Sequence, residues 1–131
     1  MSSKSAKSAS YRRVTAMAVL CAAALLSARS AWAHVFPSQR EPAAGSTVSA
    51  PARVTITFDG PLEPAFSTVT VTDAAGKPVS ASKASIDAKQ PDVISVPLRA
   101  LAAGHYTVHW VAVASDGHRT HGDYSFDVKS P

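Results

Sequence analysis

Between residues 34 and 131, apolar and polar residues alternate in short runs interrupted by glycine and proline, and this pattern constrains the fold more than any other feature. Residues 54–58 and 66–72 show the period of a half-buried strand. Further strands are predicted at residues 93–98, 105–114 and 124–128, with turns at residues 73–78 and 101–104. No segment after residue 33 has the period of an amphipathic helix. We therefore predict an all-β domain, an antiparallel sandwich or small Greek-key β-barrel of Ig-like or cupredoxin-like topology.

The first 33 residues have the organisation of an export signal. Four basic side chains lie within residues 1–13, and residues 14–28 form an uncharged, largely apolar run. That run is shorter than the ~20 residues that a membrane-spanning helix needs. Ala31-Trp32-Ala33 then places small residues at the two positions that signal peptidase recognises. We predict that residues 1–33 are a signal peptide cleaved after Ala33, and that residues 34–131 are one exported domain that begins with His34.

Removal of this signal changes the charge and the sulfur content. The full chain has a formal net charge of +4, but five of its 13 basic residues precede residue 34, so eight basic residues face nine acidic ones in the mature domain. A mature charge of about −1 removes the support for nucleic-acid or anionic-membrane binding through a basic patch. Cys21, Met1 and Met17 also lie in the signal. The mature domain therefore has no disulfide and no sulfur ligand for Cu(I), and packing or a ligand must stabilise it.

The segment Ser115-Asp116-Gly117-His118 forms a candidate metal site together with His34. In extended backbone, Asp116 and His118 project to the same side; the alternative is a turn in which Asp116 accepts hydrogen bonds from local amides. An N-terminal His34 adds two nitrogens, its α-amine and its ring Nδ1, which can chelate one ion. Three nitrogens and one oxygen suit a tetragonal Cu(II) ion, although Zn(II) accepts the same ligands. We predict a metal site formed by His34, Asp116 and His118.

The other three histidines are predicted to have structural surroundings. His105 and His109 alternate with Tyr106, Val108 and Trp110 along one strand, so they should face solvent while the aromatic face is buried. A second surface metal site is the alternative for this pair. His121 follows Thr120 in the loop predicted before the last strand, and we expect it to form a hydrogen bond there rather than to bind metal.

Over essentially its whole mature length, the sequence resembles the CopC family of periplasmic copper-binding proteins. The resemblance rests on His34 directly after the signal and on the segments REPAAGSTVSAPARVTITF, PLEPAFSTVTVTDAAGKPV and LAAGHYTVHWVAVASDGHRTHGDYSF. It implies a small Greek-key β-barrel in which Cu(II) is bound by His34, Asp116 and His118, the positions of the family's N-terminal His and S-D-x-H segment. Because family members are often associated with a copper-transporting membrane protein, it also implies an inner-membrane partner.

The chain departs from the family pattern at three places. It lacks the methionine-rich loop with which some members bind Cu(I), so it resembles the type that binds Cu(II) alone. Many members read F-S-E-P-L where this chain has Phe58-Asp59-Gly60-Pro61-Leu62, so the glutamate near copper is replaced by Gly60, a gap that Asp59 or Glu63 is positioned in sequence to fill. Phe36 stands where some tight-binding members have a second histidine.

These observations predict a protein that sequesters or delivers Cu(II) in copper homeostasis and resistance, without catalysis. Two alternatives belong to other classes. One is an exported Ig-like interaction module with no specific metal site. The other is a copper oxidase in which the N-terminal histidine forms a histidine brace, as in copper-dependent polysaccharide oxygenases; Asp116 would occupy the position that oxygen needs in such a site.

Overall fold

The computed structural model describes residues 34–131, and the signal peptide and cleavage site predicted for residues 1–33 lie outside this part. The described residues form eight strands: β1 (Pro37–Glu41), β2 (Thr47–Val48), β3 (Arg53–Phe58), β4 (Thr68–Asp73), β5 (Ser85–Ile86), β6 (Val93–Pro97), β7 (Gly104–Val113) and β8 (Arg119–Val128). They build two four-stranded sheets, ordered β1-β3-β6-β5 and β2-β8-β7-β4. All strand pairs are antiparallel except β2 with β8. The predicted all-β fold is confirmed, in the form of a sandwich.

The core lies between the two sheets and is built from alternating residues of the central strands. Phe58 of β3 packs edge-on against Trp110 of β7, with ring centroids 5.4 Å apart across the sandwich. Val54, Ile56, Val108 and Phe126 have none of their surface exposed. Burial of such side chains stabilises a domain by ~1.5–3 kcal/mol each. Among residues 34–131, no helix long and apolar enough to cross a membrane is present.

Four of the five predicted strands match the observed ones to within two residues at each end: β3, β4, β6 and β7. The fifth was predicted to begin at residue 124, but β8 begins at Arg119. The first inward-facing positions of β8 are occupied by Thr120 and Gly122. Because neither residue is strongly apolar, the sequence shows no apolar–polar alternation there. Gly122 is required because a Cβ there would lie 2.7 Å from the Trp110 ring. The sequence pattern also missed β1, which carries few apolar residues, and the two-residue strands β2 and β5.

Four segments meet at one end of the sandwich. β1 begins there, since Pro37 pairs with Phe58 at the end of β3. The segment after β3 reaches the end of β7 through a bridge between Leu62 and Ala114, and the turn between β7 and β8 lies just beyond. Residue 34 and residues 115–118 are therefore brought to the same end although they are far apart in sequence.

No helix is present among the described residues, and the aromatic face of β7 is buried as predicted. Tyr106, Val108 and Trp110 have 5%, 0% and 6% of their surface exposed, whereas His105 and His109 on the opposite face are exposed. The prediction that these two histidines face solvent is therefore confirmed.

Candidate metal centre

The turn between β7 and β8 carries Asp116 and His118. The N–H of Ala114 donates to the carbonyl oxygen of His118 and the N–H of Gly117 to that of Ala114, both at 2.9 Å. Gly117 has a φ of +90°, a conformation that costs little only for glycine. The tight turn places Asp116 and His118 at its exposed tip. Of the two conformations considered for this segment, the backbone is a turn and not extended, because the pairing of β7 with β8 runs up to residue 119 and leaves only a turn for these residues.

Asp116 and His118 nevertheless contact each other, through the turn itself. The Asp116 Oδ1 atom accepts a hydrogen bond from the backbone N–H of His118 at 3.0 Å, so the alternative reading of this segment as turn chemistry is confirmed. The second oxygen, Oδ2, lies 2.9 Å from His118 Nδ1. The backbone N–H of His118, and after it the imidazole, lower the pKa of the Asp116 carboxyl below its ordinary value. The carboxylate is therefore ionised at neutral pH and available to a cation.

The segment of residues 34–36 crosses from β1 to the turn and brings His34 beside His118. Val35 is buried, with 2% of its surface exposed, and its carbonyl oxygen accepts a hydrogen bond of 2.6 Å from the Thr120 hydroxyl. Phe36 and Asp59 are joined twice: the Phe36 N–H donates to Asp59 Oδ1 at 2.8 Å, and the Asp59 N–H donates to the Phe36 carbonyl oxygen at 3.0 Å. The His34 ring lies with its centroid 5.1 Å from that of His118.

These distances fit a shared metal ion. Ligand atoms about 2.0 Å from an ion and at right angles to each other are about 2.8 Å apart, which is close to the 2.9 Å between Asp116 Oδ2 and His118 Nδ1. Two imidazoles on one ion have centroids about 4.5–6.5 Å apart, depending on the angle between them, and the 5.1 Å between His34 and His118 lies in this range. The donor set of imidazole and carboxylate is one that Cu(II) and Zn(II) accept.

The side chains alone do not complete a site. Within residues 34–131, no three His, Cys, Asp or Glu side chains converge closely enough to hold a metal ion. The His34 ring lies beside His118, and Asp116 Oδ2 and His118 Nδ1 are hydrogen-bonded to each other. The missing donor of the predicted set is the His34 α-amine, which in the uncleaved chain is a peptide nitrogen bonded to Ala33.

The remaining histidines lie on the outer face of the sheet that contains β7 and β8. His105 pairs with Asp127 at 2.8 Å and His109 with Asp123 at 2.6 Å, both across the two strands. His121 is exposed; it lies in β8 and pairs with Val111 of β7. It therefore lies in a strand and not in the predicted loop, because β8 begins earlier than expected.

Gly60 lies against the N-terminal segment. A Cβ at Gly60 would be 3.0 Å from Val35 Cγ1, so the absence of a side chain there leaves room for Val35. Asp59, next to it, holds Phe36 as described above. Val35 and Thr120 were not singled out for the site from the sequence, whereas Asp59 was named, with Glu63, as a residue that could fill the gap at Gly60; in the structure it binds the backbone of Phe36. Thr120 alone left a signal, since a polar residue stands at an inward-facing position two residues after His118.

We compared the sequence and the structure of this chain with those of known proteins. The profile of the CopC domain matches residues 38–129. Copper resistance protein C of Xanthomonas campestris pv. juglandis is 35% identical over 125 residues, which cover 91% of this chain and 98% of that protein. CopC from Methylosinus trichosporium OB3b has a similar structure, with a TM-score of 0.70 and 35% identity over 74% of this chain and 95% of that one. PcoC, a methionine-rich copper resistance protein from Escherichia coli, gives a TM-score of 0.66 and 34% identity over 73% and 99% of the two chains.

Proposed function

This chain belongs to the CopC family, and on that basis we propose that it binds copper in the periplasm and sequesters or delivers the metal in copper resistance and homeostasis. The copper is cargo rather than a catalytic cofactor. Relatives that carry the name copper resistance protein C match along nearly their whole length, and two neighbours of similar structure are CopC and PcoC themselves.

Cu(II) is the proposed oxidation state, and His34, Asp116 and His118 are the proposed ligands. Cu(II) stands highest among the divalent ions of the first transition row in affinity for nitrogen and oxygen ligands. Cu(I) prefers sulfur, and in this chain the one cysteine and both methionines precede residue 34. This distinguishes the chain from PcoC, which is a methionine-rich protein. The observation that carries the proposal is the contact of His34 with His118 beside the 2.9 Å separation of Asp116 and His118.

Export would complete the chelate. Cleavage after Ala33 would turn the peptide nitrogen of His34 into an α-amine, which can bind the same ion as the imidazole of this residue. A chain still carrying residues 1–33 would lack that donor, so the high-affinity site would form only outside the cytoplasm. The exposed tip of the turn leaves the ion open to exchange, as delivery to an inner-membrane copper transporter requires.

The proposed ligand set also argues against catalysis at the copper ion. In a site of four ligands around a tetragonal ion, the amine and imidazole of His34, the Asp116 carboxylate and the His118 imidazole take the four strong positions. No such position is left for a substrate or for oxygen, and we therefore propose no enzymatic activity.

The test is a Cu(II) titration of the chain that begins at His34, followed by electron paramagnetic resonance (EPR), beside a control with one extra glycine before His34. We expect one tightly bound equivalent with nitrogen couplings, and at least about tenfold weaker binding in the control because the amine is displaced. Weak binding of several equivalents, unchanged in the control, would favour the interaction module. Turnover of ascorbate or glycan by the copper form would favour the oxidase.

A further inference from the structure

The segment of residues 34–36 is held in place by contacts that involve no metal. We propose that Thr120 and Asp59 are positioning residues for the copper chelate, which hold His34 against His118 before the ion arrives. This inference rests on the proposed function, since it concerns the same site. We call the set of contacts that Val35 and Phe36 make with Asp59, Gly60 and Thr120 the N-terminal anchor.

The Thr120 hydroxyl links the two halves of the site directly. Thr120 lies two residues after His118 in the chain, and its hydroxyl donates to the carbonyl oxygen of Val35, the residue after His34, at 2.6 Å. With 8% of its surface exposed, Thr120 is one of two buried polar residues in the described part of the chain. A hydrogen bond shielded from water is not easily exchanged for one to solvent. The start of β8, directly after His118, and the segment that carries His34 are therefore tied together.

Asp59 fixes the other side of the segment. Its side chain accepts the Phe36 N–H at 2.8 Å and its backbone N–H donates to the Phe36 carbonyl oxygen at 3.0 Å. Two hydrogen bonds to one residue fix the direction of the backbone as well as its distance. The direction in which the chain runs from Phe36 to His34 at the end of the sandwich is thus determined at Phe36.

Val35 supplies the third contact, and Gly60 makes it possible. Val35 has 2% of its surface exposed and belongs to the core cluster. Its Cγ1 atom would lie only 3.0 Å from a Cβ atom at position 60. A side chain at position 60 would therefore require Val35 to shift by a few tenths of an ångström.

Holding the segment in advance raises affinity because less conformational freedom is lost when the ion binds. Residues 34–36 would otherwise have to be ordered at the moment of binding. The inference therefore predicts a loss of affinity from substitutions that touch neither His34, Asp116 nor His118.

The first test compares Thr120→Val with Thr120→Ser in the chain that begins at His34, with all strands and the core of the described fold inside it. Valine has the same shape and no hydroxyl, whereas serine keeps the hydroxyl. We expect Thr120→Val to weaken Cu(II) binding by about five- to tenfold, in line with the loss of one hydrogen bond, and Thr120→Ser to restore most of it. Thr70→Val, on the exposed outer face of β4, is the matched control and should leave affinity unchanged.

The second test uses Asp59→Ala and Asp59→Asn and needs no copper. Asparagine keeps an oxygen that can accept the Phe36 N–H, and alanine does not. In the metal-free chain we expect the Phe36 amide to be protected from hydrogen exchange in the parent and in Asp59→Asn, and to lose that protection in Asp59→Ala. Copper affinity should follow the same order.

The outcomes separate this inference from the proposed function. Tight one-to-one binding by the parent, with equal affinity in Thr120→Val and Asp59→Ala, would overturn the positioning role and leave the function intact. A protected Phe36 amide in a parent that binds no copper tightly would overturn the function, and with it the purpose assigned to these residues. Loss of affinity in both variants with restoration by Thr120→Ser and Asp59→Asn supports both.

Discussion

At the scale of single residues, His118 differs from the other histidines that pair with an aspartate in one contact, the one with the ring of His34. Among the described residues, three histidines pair with an aspartate through Nδ1: His105, His109 and His118. The imidazoles of His105 and His118 are even exposed to the same extent, 53% and 52%. What sets His118 apart is the ring of His34, 5.1 Å away. A histidine–aspartate pair alone is therefore no sign of a metal site here.

The similar exposure and aspartate pairing of His105 and His118 make their alanine variants a matched pair. We expect His118→Ala to weaken Cu(II) binding more than about 100-fold, since even groups behind the ligands change affinity about 10- to 100-fold. His105→Ala removes an equally exposed imidazole with an equally close aspartate and should leave affinity unchanged. Competition titration against a chelator of known affinity measures both. Equal losses in the two variants would place the copper on the outer face of the sheet instead.

A second residue-scale prediction concerns Tyr124, whose hydroxyl is buried without a hydrogen-bond partner. Burial raises the pKa of Tyr124 to about 12, and the nearby Arg40 lowers it by less. Between pH 10 and 12 the unfolded chain releases this proton while the folded chain keeps it, so the free energy of unfolding should fall as pH rises through that range. After screening by solvent is allowed for, the fall amounts to about 1 kcal/mol.

Urea unfolding at a series of alkaline pH values measures this effect. Tyr124→Phe should remove it and should be neutral or slightly stabilising at pH 7, because it deletes a hydroxyl that has no partner. A pH profile identical in the parent and in Tyr124→Phe would mean that the hydroxyl is solvated in both states.

At the scale of elements, the sequence predicted the longer strands whose inward positions are apolar. It missed β1 and the start of β8, where they are not, and the two-residue strands β2 and β5, which are too short to show a period. Val54, Ile56 and Phe58 reveal β3 by alternation alone. The start of β8 was hidden because Thr120 and Gly122 occupy inward positions for reasons that depend on neighbours: the Val35 carbonyl oxygen and the Trp110 ring. The turn at residues 115–118 could not be distinguished in advance from extended backbone, because it depends on how far the pairing of β7 with β8 extends.

The turn can be tested as an element through its glycine. Gly117 has a φ of +90° and Gly45, in the turn before β2, a φ of +73°, and neither has any atom within 4 Å of an added Cβ. Alanine at either position should therefore lower the free energy of unfolding by about 1 kcal/mol or more through backbone strain alone. Only Gly117→Ala should also weaken Cu(II) binding, since it distorts the turn that holds Asp116 to His118. Chemical unfolding and copper titration of both variants give the comparison.

Equal copper affinity in Gly117→Ala and the parent, at reduced stability, would mean that the turn geometry is not needed by the ligands. Reduced affinity in Gly45→Ala as well would mean that general loosening of the fold, and not the turn, controls binding.

At the scale of the whole molecule, the site depends on the sandwich, and the sandwich does not depend on the site. His34 and His118 lie near opposite ends of the described residues 34–131, and only the packing of the two sheets brings them together. The resemblance to CopC proteins indicated which residues to compare, but the partition of the strands into two sheets and the contacts that hold residues 34–36 follow from tertiary packing. Periodicity along one chain contains no information on either.

The direction of this dependence leads to the last prediction. The core lies between the sheets and the candidate ligands lie at one exposed end, so removal of metal with EDTA should leave the far-ultraviolet circular dichroism of the chain that begins at His34 unchanged. Copper should still raise the melting temperature, because an ion that binds only the folded state stabilises it by about 2.7 kcal/mol when its free concentration is 100 times the dissociation constant. For a domain of this size that is a shift of about 10–20 °C.

The shift should also depend on pH with a definite sign. The α-amine proposed as a ligand has an ordinary pKa of about 7.7–8.0 and must lose its proton to bind, so the copper-induced rise in melting temperature should shrink steadily as pH falls from 8 to 5. The control with an extra glycine before His34 should show a smaller rise at every pH, because its amine is displaced from the imidazole. A copper-induced rise of the same size in both chains across this range would show that the amine is not a ligand, and the dependence on export would then have no chemical basis.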